Sequence, residues 1–144
     1  MQYGMTRPGV SGGETTILAV SPCEQDRWLI TALASSQHIT VLTASSLAEA
    51  VALCRRHAIS LVVCERDLPD GDWREMLNQV NRLSPDTRVV VTSRLADEQL
   101  WAEVLNLGGY DVLAKPLSWR EVAHVIESAV GAAAGSSLAL AAGR

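Results

Sequence analysis

Residues 61–72 read LVVCERDLPDGD, in which an apolar strand, its polar end and a turn follow one another directly. No polar residue interrupts the run Leu61–Cys64, a pattern typical of a parallel strand that is covered on both faces. Glu65 ends this run, and the segment 68–71 supplies the proline, aspartate and glycine of a tight turn. Asp72 is a favourable N-cap, so we expect a helix to begin there.

A strand, a polar turn and an amphipathic helix recur in this order along the chain. We expect strands at 15–20, 39–42, 61–64, 88–91 and 111–114, and helices at 25–35, 46–56, 72–83, 97–107 and 118–130. Five strands that alternate with five helices predict an α/β fold, with one parallel sheet covered on both faces by right-handed crossovers.

This domain is expected to span residues 15–130. Residues 1–14 are rich in Gly, Pro and Ser, and we expect them to form a flexible N-terminal arm. Residues 131–144 are Ala- and Gly-rich, and they form a tail that either extends the last helix or frays.

The composition limits the classes of partner and compartment. A hydrophobic content of 48% with 19% charged residues indicates a packed globule, and a net charge of −4 argues against nucleic-acid binding. No apolar run approaches the roughly 20 residues that span a bilayer, and the N-terminus lacks the apolar core of a signal peptide. The three cysteines are an odd number, which favours reduced thiols. We therefore expect a cytoplasmic protein without nucleic-acid or membrane partners.

Polar groups end three of the expected strands. The chain has eleven arginines but one lysine, Lys115, which follows the apolar run 112–114. Glu65 and Thr92 end two comparable runs. Because the carboxyl ends of parallel strands meet at one edge of a sheet, we expect carboxylate, hydroxyl and ammonium groups to converge there. This edge is the usual binding site of an open α/β sheet.

Four fragments, in this order and spacing, resemble the receiver domain of bacterial two-component response regulators. They are Glu65-Arg-Asp-Leu-Pro69, Val91-Thr92-Ser93, Leu107-Gly108-Gly109 and Ala114-Lys115-Pro116. The resemblance implies a flavodoxin-like, doubly wound (βα)5 sheet of strand order 2-1-3-4-5. It also implies transfer of phosphate from a kinase histidine to an aspartate that ends the third strand, next to a Mg²⁺ ion held by an acidic pair after the first strand. By position, Lys115 and Thr92 match the lysine and hydroxyl that bind the phosphoryl group, and Pro116 matches a proline that is expected in cis.

Three positions depart from the family's pattern. Glu65 stands at the phosphoacceptor position, Ser21 and Pro22 stand where the acidic pair is found, and Val112 replaces the aromatic residue that switches rotamer on activation. Glutamate is one methylene longer than aspartate, and a misplacement of about 1 Å can cost on the order of 100-fold in such chemistry. Valine cannot make the large ring movement of the switch.

The remaining donors predict weak metal binding. Mg²⁺ would have Glu65, Asp67 and backbone oxygens as ligands, so we expect no cofactor beyond at most weakly bound Mg²⁺. Glu24 and Asp26 are expected on the exposed start of the first helix. The longer Glu65 side chain is expected to reach Lys115 and form an ion pair where a phosphoryl group would lie.

That ion pair has three interpretations. It neutralises two partly buried charges, it mimics the phosphorylated state permanently, or it coexists with retained phosphorylation. Ser21, Thr92 and Asp67 are the other residues expected in this pocket.

Four tryptophans in a chain without phenylalanine suggest where partners bind. We expect Trp28 in the core of the first helix and Trp73 over the turn before the third. Trp101 falls outside the apolar stripe of its helix, and Trp119 opens the last helix nearby. The resemblance implies that the fourth helix, fifth strand and fifth helix form the face through which such domains dimerise or bind other proteins. The alternative is that both rings lie flat over neighbouring side chains.

Three functions are compatible with these residues. The first is a stand-alone, degenerate receiver domain that is not an enzyme and acts in phosphorelay signalling as a protein-interaction module, without phosphorylation. The second is a receiver that accepts phosphate on a non-standard residue such as Asp67. The third is a flavodoxin-like cofactor-binding protein, which we rank last because the loop after the first strand, Ser21-Pro-Cys-Glu-Gln25, offers a single hydroxyl.

Overall fold

The computed structural model describes residues 15–134. The predicted arm at 1–14 and the tail from residue 135 lie outside the described residues. The strands are β1 Thr16–Val20, β2 Thr40–Ala44, β3 Leu61–Glu65, β4 Asp67–Leu68, β5 Gly71–Asp72, β6 Arg88–Ser93 and β7 Asp111–Ala114. The helices are α1 Glu24–Ser35, α2 Leu47–Arg56, α3 Trp73–Leu83, α4 Glu98–Asn106 and α5 Trp119–Ala134. The last helix therefore continues into the predicted tail.

Five strands form one parallel sheet in the order β2-β1-β3-β6-β7. Since β6 and β7 are the fourth and fifth of the predicted strands, this is the expected order 2-1-3-4-5, and the predicted α/β fold is confirmed. A short antiparallel hairpin of β4 and β5 was not predicted, because it lies inside the segment that the sequence marks as a turn.

The sheet separates two apolar cores, as the strand period of two requires. Along β3, Val62 and Cys64 belong to the core beneath α2, α3 and α4, while Leu61 and Val63 belong to the core beneath α1 and α5. All four of these side chains are at most 2% exposed. The uninterrupted apolar run of β3 thus reflects burial on both faces, and helices on both sides make the fold doubly wound.

Two tryptophans lie elsewhere than expected. Trp28 was predicted to be core but is 69% exposed, because the buried stripe of α1 runs through Ile30 and Ala34. Trp28 precedes Ile30 by two residues, which places it about 200° around the helix. Trp73 does not merely cover a turn: it is fully buried, and its Nε1 has no hydrogen-bond partner among the described residues.

The hairpin is attached to the start of α2 through a carboxylate. Asp70 accepts hydrogen bonds from the backbone N–H groups of Leu47 (2.7 Å) and Ala48 (3.0 Å), and these bonds lower its pKa. Ser46 caps the same helix by accepting from the Glu49 N–H at 3.2 Å. Backbone N–H groups in the first turn of a helix have no acceptors within the helix, so the Asp70 and Ser46 side chains together satisfy three of these donors in α2.

Candidate functional site

The carboxyl edge of the sheet gathers the polar strand ends, as the parallel topology requires. Ser21 follows β1, Glu65 ends β3 and is in register with Thr92 of β6, and Lys115 follows β7. Ser21 and Thr92 are 4% and 3% exposed. The peptide bond between Lys115 and Pro116 is cis, as the resemblance implied.

Lys115 lies between two carboxylates. Its Nζ is 2.8 Å from Glu65 Oε1 and 2.7 Å from Asp26 Oδ2, and all three side chains are largely buried, with 10%, 14% and 13% of their surfaces exposed. The expected Glu65–Lys115 ion pair is therefore present, and a second carboxylate joins it. We call these three side chains the ion triad.

Asp26 is the site residue that sequence reasoning misplaced. It was expected on the exposed start of α1, but the first turn of that helix lies over the sheet edge. Two hydrogen bonds hold this turn: Arg27 Nη1 donates to the Ser21 carbonyl oxygen at 2.6 Å, and the Cys23 N–H donates to Ser21 Oγ at 3.0 Å. The sequence does show that Asp26 lies in the first turn of the helix that follows β1. It does not show whether that turn faces the sheet edge or the solvent.

Burial and the two carboxylates act in opposite directions on the ammonium. Burial alone lowers the pKa of Lys115, but hydrogen bonds and charge attraction from Asp26 and Glu65 outweigh it, so the pKa is raised above 10.5. Ser21 Oγ also approaches Glu65 Oε1, at 3.4 Å. The carboxylate oxygen of Glu65 thus faces both an ammonium and a hydroxyl.

Three other residues predicted at this site occupy different elements of the fold. Thr92 is at the same edge, and its carbonyl oxygen accepts from the Arg66 N–H at 2.8 Å. Asp67 is exposed and pairs with Asp72 in the β4–β5 hairpin. Val112 is half-buried and packs against the core beneath α2, α3 and α4.

The donor set does not fit a receiver-type Mg²⁺ ion. Within residues 15–134, no three His, Cys, Asp or Glu side chains are grouped as metal ligands. The carboxylates of Asp26 and Glu65 meet at this edge, and both are paired with Lys115. Mg²⁺ requires near-octahedral oxygen ligation, and here an ammonium already lies between the two carboxylates.

The predicted partner face lies along α4, β7 and α5. Trp101 and Trp119 are 50% and 58% exposed there, so both rings point outward as expected. The Arg120 guanidinium stacks on the Trp119 ring, 5.2 Å from its centroid. For Trp119, this contact agrees in part with the alternative expectation, in which the ring lies against a neighbouring side chain.

The fold and this edge define a receiver-type signalling domain. The family model of the response regulator receiver domain matches residues 24–127, and the chain belongs to that family. It is 25% identical over 118 residues to the transcriptional regulatory protein ZraR of Salmonella typhimurium, a match covering 82% of this chain and 27% of ZraR. It is 32% identical over 81 residues to the hydrogenase transcriptional regulatory protein HoxA of Cupriavidus necator, covering 56% of this chain and 17% of HoxA.

The chain thus spans about a quarter or less of the length of these curated relatives. Among solved structures it is similar to a two-component response regulator from Clostridium difficile, with a TM-score of 0.76, 20% identity, and coverage of 81% of this chain and 96% of that one. It is also similar to a chain of the CheX–CheY–BeF3–Mg²⁺ complex of Borrelia burgdorferi, with a TM-score of 0.74, 25% identity, and coverage of 79% and 87%.

None of the helices in residues 15–134 has the length and apolar character needed to cross a bilayer.

Proposed function

We propose that this chain is a degenerate receiver domain that acts in cytoplasmic two-component signalling as a protein-interaction module, without catalysis, phosphorylation or a metal cofactor. The observation that carries the proposal is the double pairing of Lys115 with Asp26 at 2.7 Å and Glu65 at 2.8 Å. A phosphoryl group carried on Glu65 would have to replace the contact of this carboxylate with Lys115 and compete with Asp26 for the same ammonium.

The phosphoacceptor position supports the same conclusion. Glu65 carries its carboxylate one methylene further than an aspartate would, and it approaches both Ser21 Oγ and Lys115 Nζ. In-line transfer from a histidine depends on the position of the attacking oxygen. Ser21 and Pro22 supply no carboxylate for Mg²⁺, so the charge that develops during transfer would lack its usual stabilisation.

The output face is proposed to hold one state. Val112 is the residue at the switch position, and its small side chain cannot alternate between buried and exposed positions as a ring can. Trp101 and Trp119 provide exposed aromatic surface on this face, and aromatic residues are enriched among interface anchors. The face would therefore bind a protein partner, or a second copy of the chain, through preformed apolar surface.

Phosphorylation chemistry tests the proposal. We expect acetyl phosphate with Mg²⁺ to leave the mass of the protein unchanged, and beryllium fluoride to leave its tryptophan fluorescence unchanged. Titration calorimetry should give a Mg²⁺ affinity no tighter than millimolar, because the carboxylates near the site are paired with an ammonium.

A matched variant restores the family's carboxylates and serves as the control. The triple substitution Ser21→Asp, Pro22→Asp and Glu65→Asp should bind Mg²⁺ more tightly and gain one phosphate from acetyl phosphate. A mass increase of one phosphate on wild-type Glu65 would contradict the proposal. The same increase on Asp67 would instead establish the alternative, a receiver with a non-standard acceptor.

A further inference from the structure

A groove crosses the outer face between α4 and α5. Val112, Leu113 and Ala114 of β7 form its floor, Trp101 forms one wall, and the space is about 290 Å³. Ala114 and Trp101 are both exposed, so this apolar surface is accessible to solvent. A space of this size, lined by one aromatic ring and by four aliphatic residues including Ala96, suits one or two apolar side chains of a partner.

Carboxylates surround this apolar floor. Asp97 and Glu98 lie at the start of α4, Glu121 lies in the first turn of α5, and all three residues are exposed. None of the described residues that line the groove is basic. The nearby Arg120 guanidinium is stacked on the Trp119 ring. The groove therefore combines an apolar centre with a negative rim.

We propose that this groove binds a cationic amphipathic segment of a partner protein. The segment would place an apolar side chain against Trp101 and the β7 floor, with Lys or Arg side chains facing Glu98 and Glu121. This inference rests on the proposed function, which assigns this face to protein binding, and it adds the chemistry of the partner. Rim charges of opposite sign steer association and select the partner, while the apolar centre supplies most of the affinity.

The same charges disfavour a second copy of the chain as the occupant. A two-fold interface joins identical patches, so the patch that carries the carboxylates at 97, 98 and 121 would face an equally negative patch on the other copy. Each copy also carries a net charge of −4. Within a Debye length of about 8 Å at physiological salt, like charges at an interface are repulsive and are only partly screened.

Model peptides of opposite charge test the inference. The probes are a fluorescein-labelled 14-residue amphipathic helix of Leu and Lys, and a matched peptide of Leu and Glu, followed by anisotropy with the full chain. We expect the Leu/Lys peptide to bind at least tenfold more tightly than the Leu/Glu peptide. Its affinity should fall as salt is raised from 50 to 500 mM, because the rim pairs are exposed.

Paired variants locate the binding site on the protein. Glu98→Gln with Glu121→Gln should weaken Leu/Lys binding about fivefold, as expected for two exposed ion pairs, whereas Glu127→Gln, elsewhere on α5, should not. Trp101→Ala should weaken it roughly 30-fold, the loss typical of a central anchor, whereas Trp28→Ala, at a tryptophan of α1 that is even more exposed, should not. Melting curves check that each variant is folded.

The outcomes separate this inference from the proposed function. If the Leu/Lys peptide binds no better than the Leu/Glu peptide, or if the control substitutions weaken it equally, a cationic partner at this groove is refuted. If sedimentation reveals a dimer that Trp101→Ala abolishes and the double glutamine variant tightens, a second copy occupies the face. That result also overturns the inference, but it leaves the proposed function intact. Phosphorylation by acetyl phosphate would overturn the proposed function even if the peptide preference held.

Discussion

Replacing Lys115 with methionine tests the energetics of the ion triad most directly. Methionine keeps much of the side-chain volume but removes the ammonium that pairs with both Asp26 and Glu65. The two carboxylates would then remain together, largely buried, without that ion-pair partner. We expect the variant to fold with a clearly lower free energy of unfolding.

The size of the loss follows from the burial of the three side chains. Removing one partner from a buried ion pair destabilises a protein by about 3–5 kcal/mol. The exposed fractions of 10–14% and the position at the sheet edge let water reach the site, so we expect about 3 kcal/mol, the lower end of that range. With a urea dependence of about 2 kcal/mol/M, the unfolding midpoint should fall by about 1.5 M.

Urea unfolding at several pH values, followed by circular dichroism, measures this effect. Since the folded state raises the pKa of Lys115, the ammonium stabilises the fold below pH 10.5, and this contribution is lost as the pH rises through the folded-state pKa. The difference between wild type and variant should therefore narrow in alkali.

Two further variants act as controls. Arg56→Met removes one positive charge from an exposed position in the last turn of α2, outside the triad, and should shift the free energy of unfolding by less than about 1 kcal/mol, the size of a charge effect at a helix end. The triple variant Asp26→Asn, Glu65→Gln, Lys115→Met leaves no uncompensated charge and should recover much of the lost stability. If Lys115→Met unfolds at the wild-type urea concentration, or if the triple variant is less stable than the single one, the charge of Lys115 does not stabilise the fold by compensating the two carboxylates.

Two more predictions concern groups outside the triad. Asp70→Asn should lower the melting temperature at neutral pH, and the difference from wild type should shrink below pH 3.8. The reason is that a carboxylate whose pKa is lowered in the folded state stabilises the fold above that pH, and this stability is lost as the pH falls. An equal difference in melting temperature at pH 2.5 and pH 7 would show that the Asp70 carboxylate does not cap α2. In the native protein a thiol-specific disulfide reagent should modify Cys23 and, more slowly, Cys54, but it should modify Cys64 only after unfolding. Burial raises the pKa of the Cys64 thiol far above its ordinary value, and it raises the pKa of Cys54 to a lesser extent. Rapid native labelling of Cys64, read by mass spectrometry, would show that β3 is less protected than the fold implies.

Much of the fold was evident in the sequence because its determinants are local. Short apolar runs with β-branched residues, such as Leu61–Cys64, favour strands that are buried on both faces. Asp72 forms the predicted cap, with its carboxylate accepting from the Arg74 and Glu75 N–H groups. The strand order followed from the resemblance of the four fragments to the receiver family. The length of Glu65 and the topology together were enough to predict that it would reach Lys115.

The tryptophans show where local pattern was insufficient. Trp28 lies near apolar residues in the first half of α1, and Trp73 opens α3 between Asp72 and Arg74, yet Trp28 is 69% exposed and Trp73 is fully buried. Which side of a helix faces the sheet depends on how the whole helix is set against its neighbours. For α1, the choice of Ile30 and Ala34 as the buried stripe moved Trp28 to the opposite side.

The sequence alone determined that a lysine, a glutamate and buried hydroxyls would meet at one edge of a parallel sheet, because strand direction and strand-end residues are encoded locally. Only the tertiary structure decided that Asp26 would join them. Its position depends on how the first turn of α1 is held over that edge by Ser21, and on where the loop after β7 brings Lys115. Those two segments are far apart in the chain, so no local pattern relates them, and only packing across the sheet brings the second carboxylate to the ammonium.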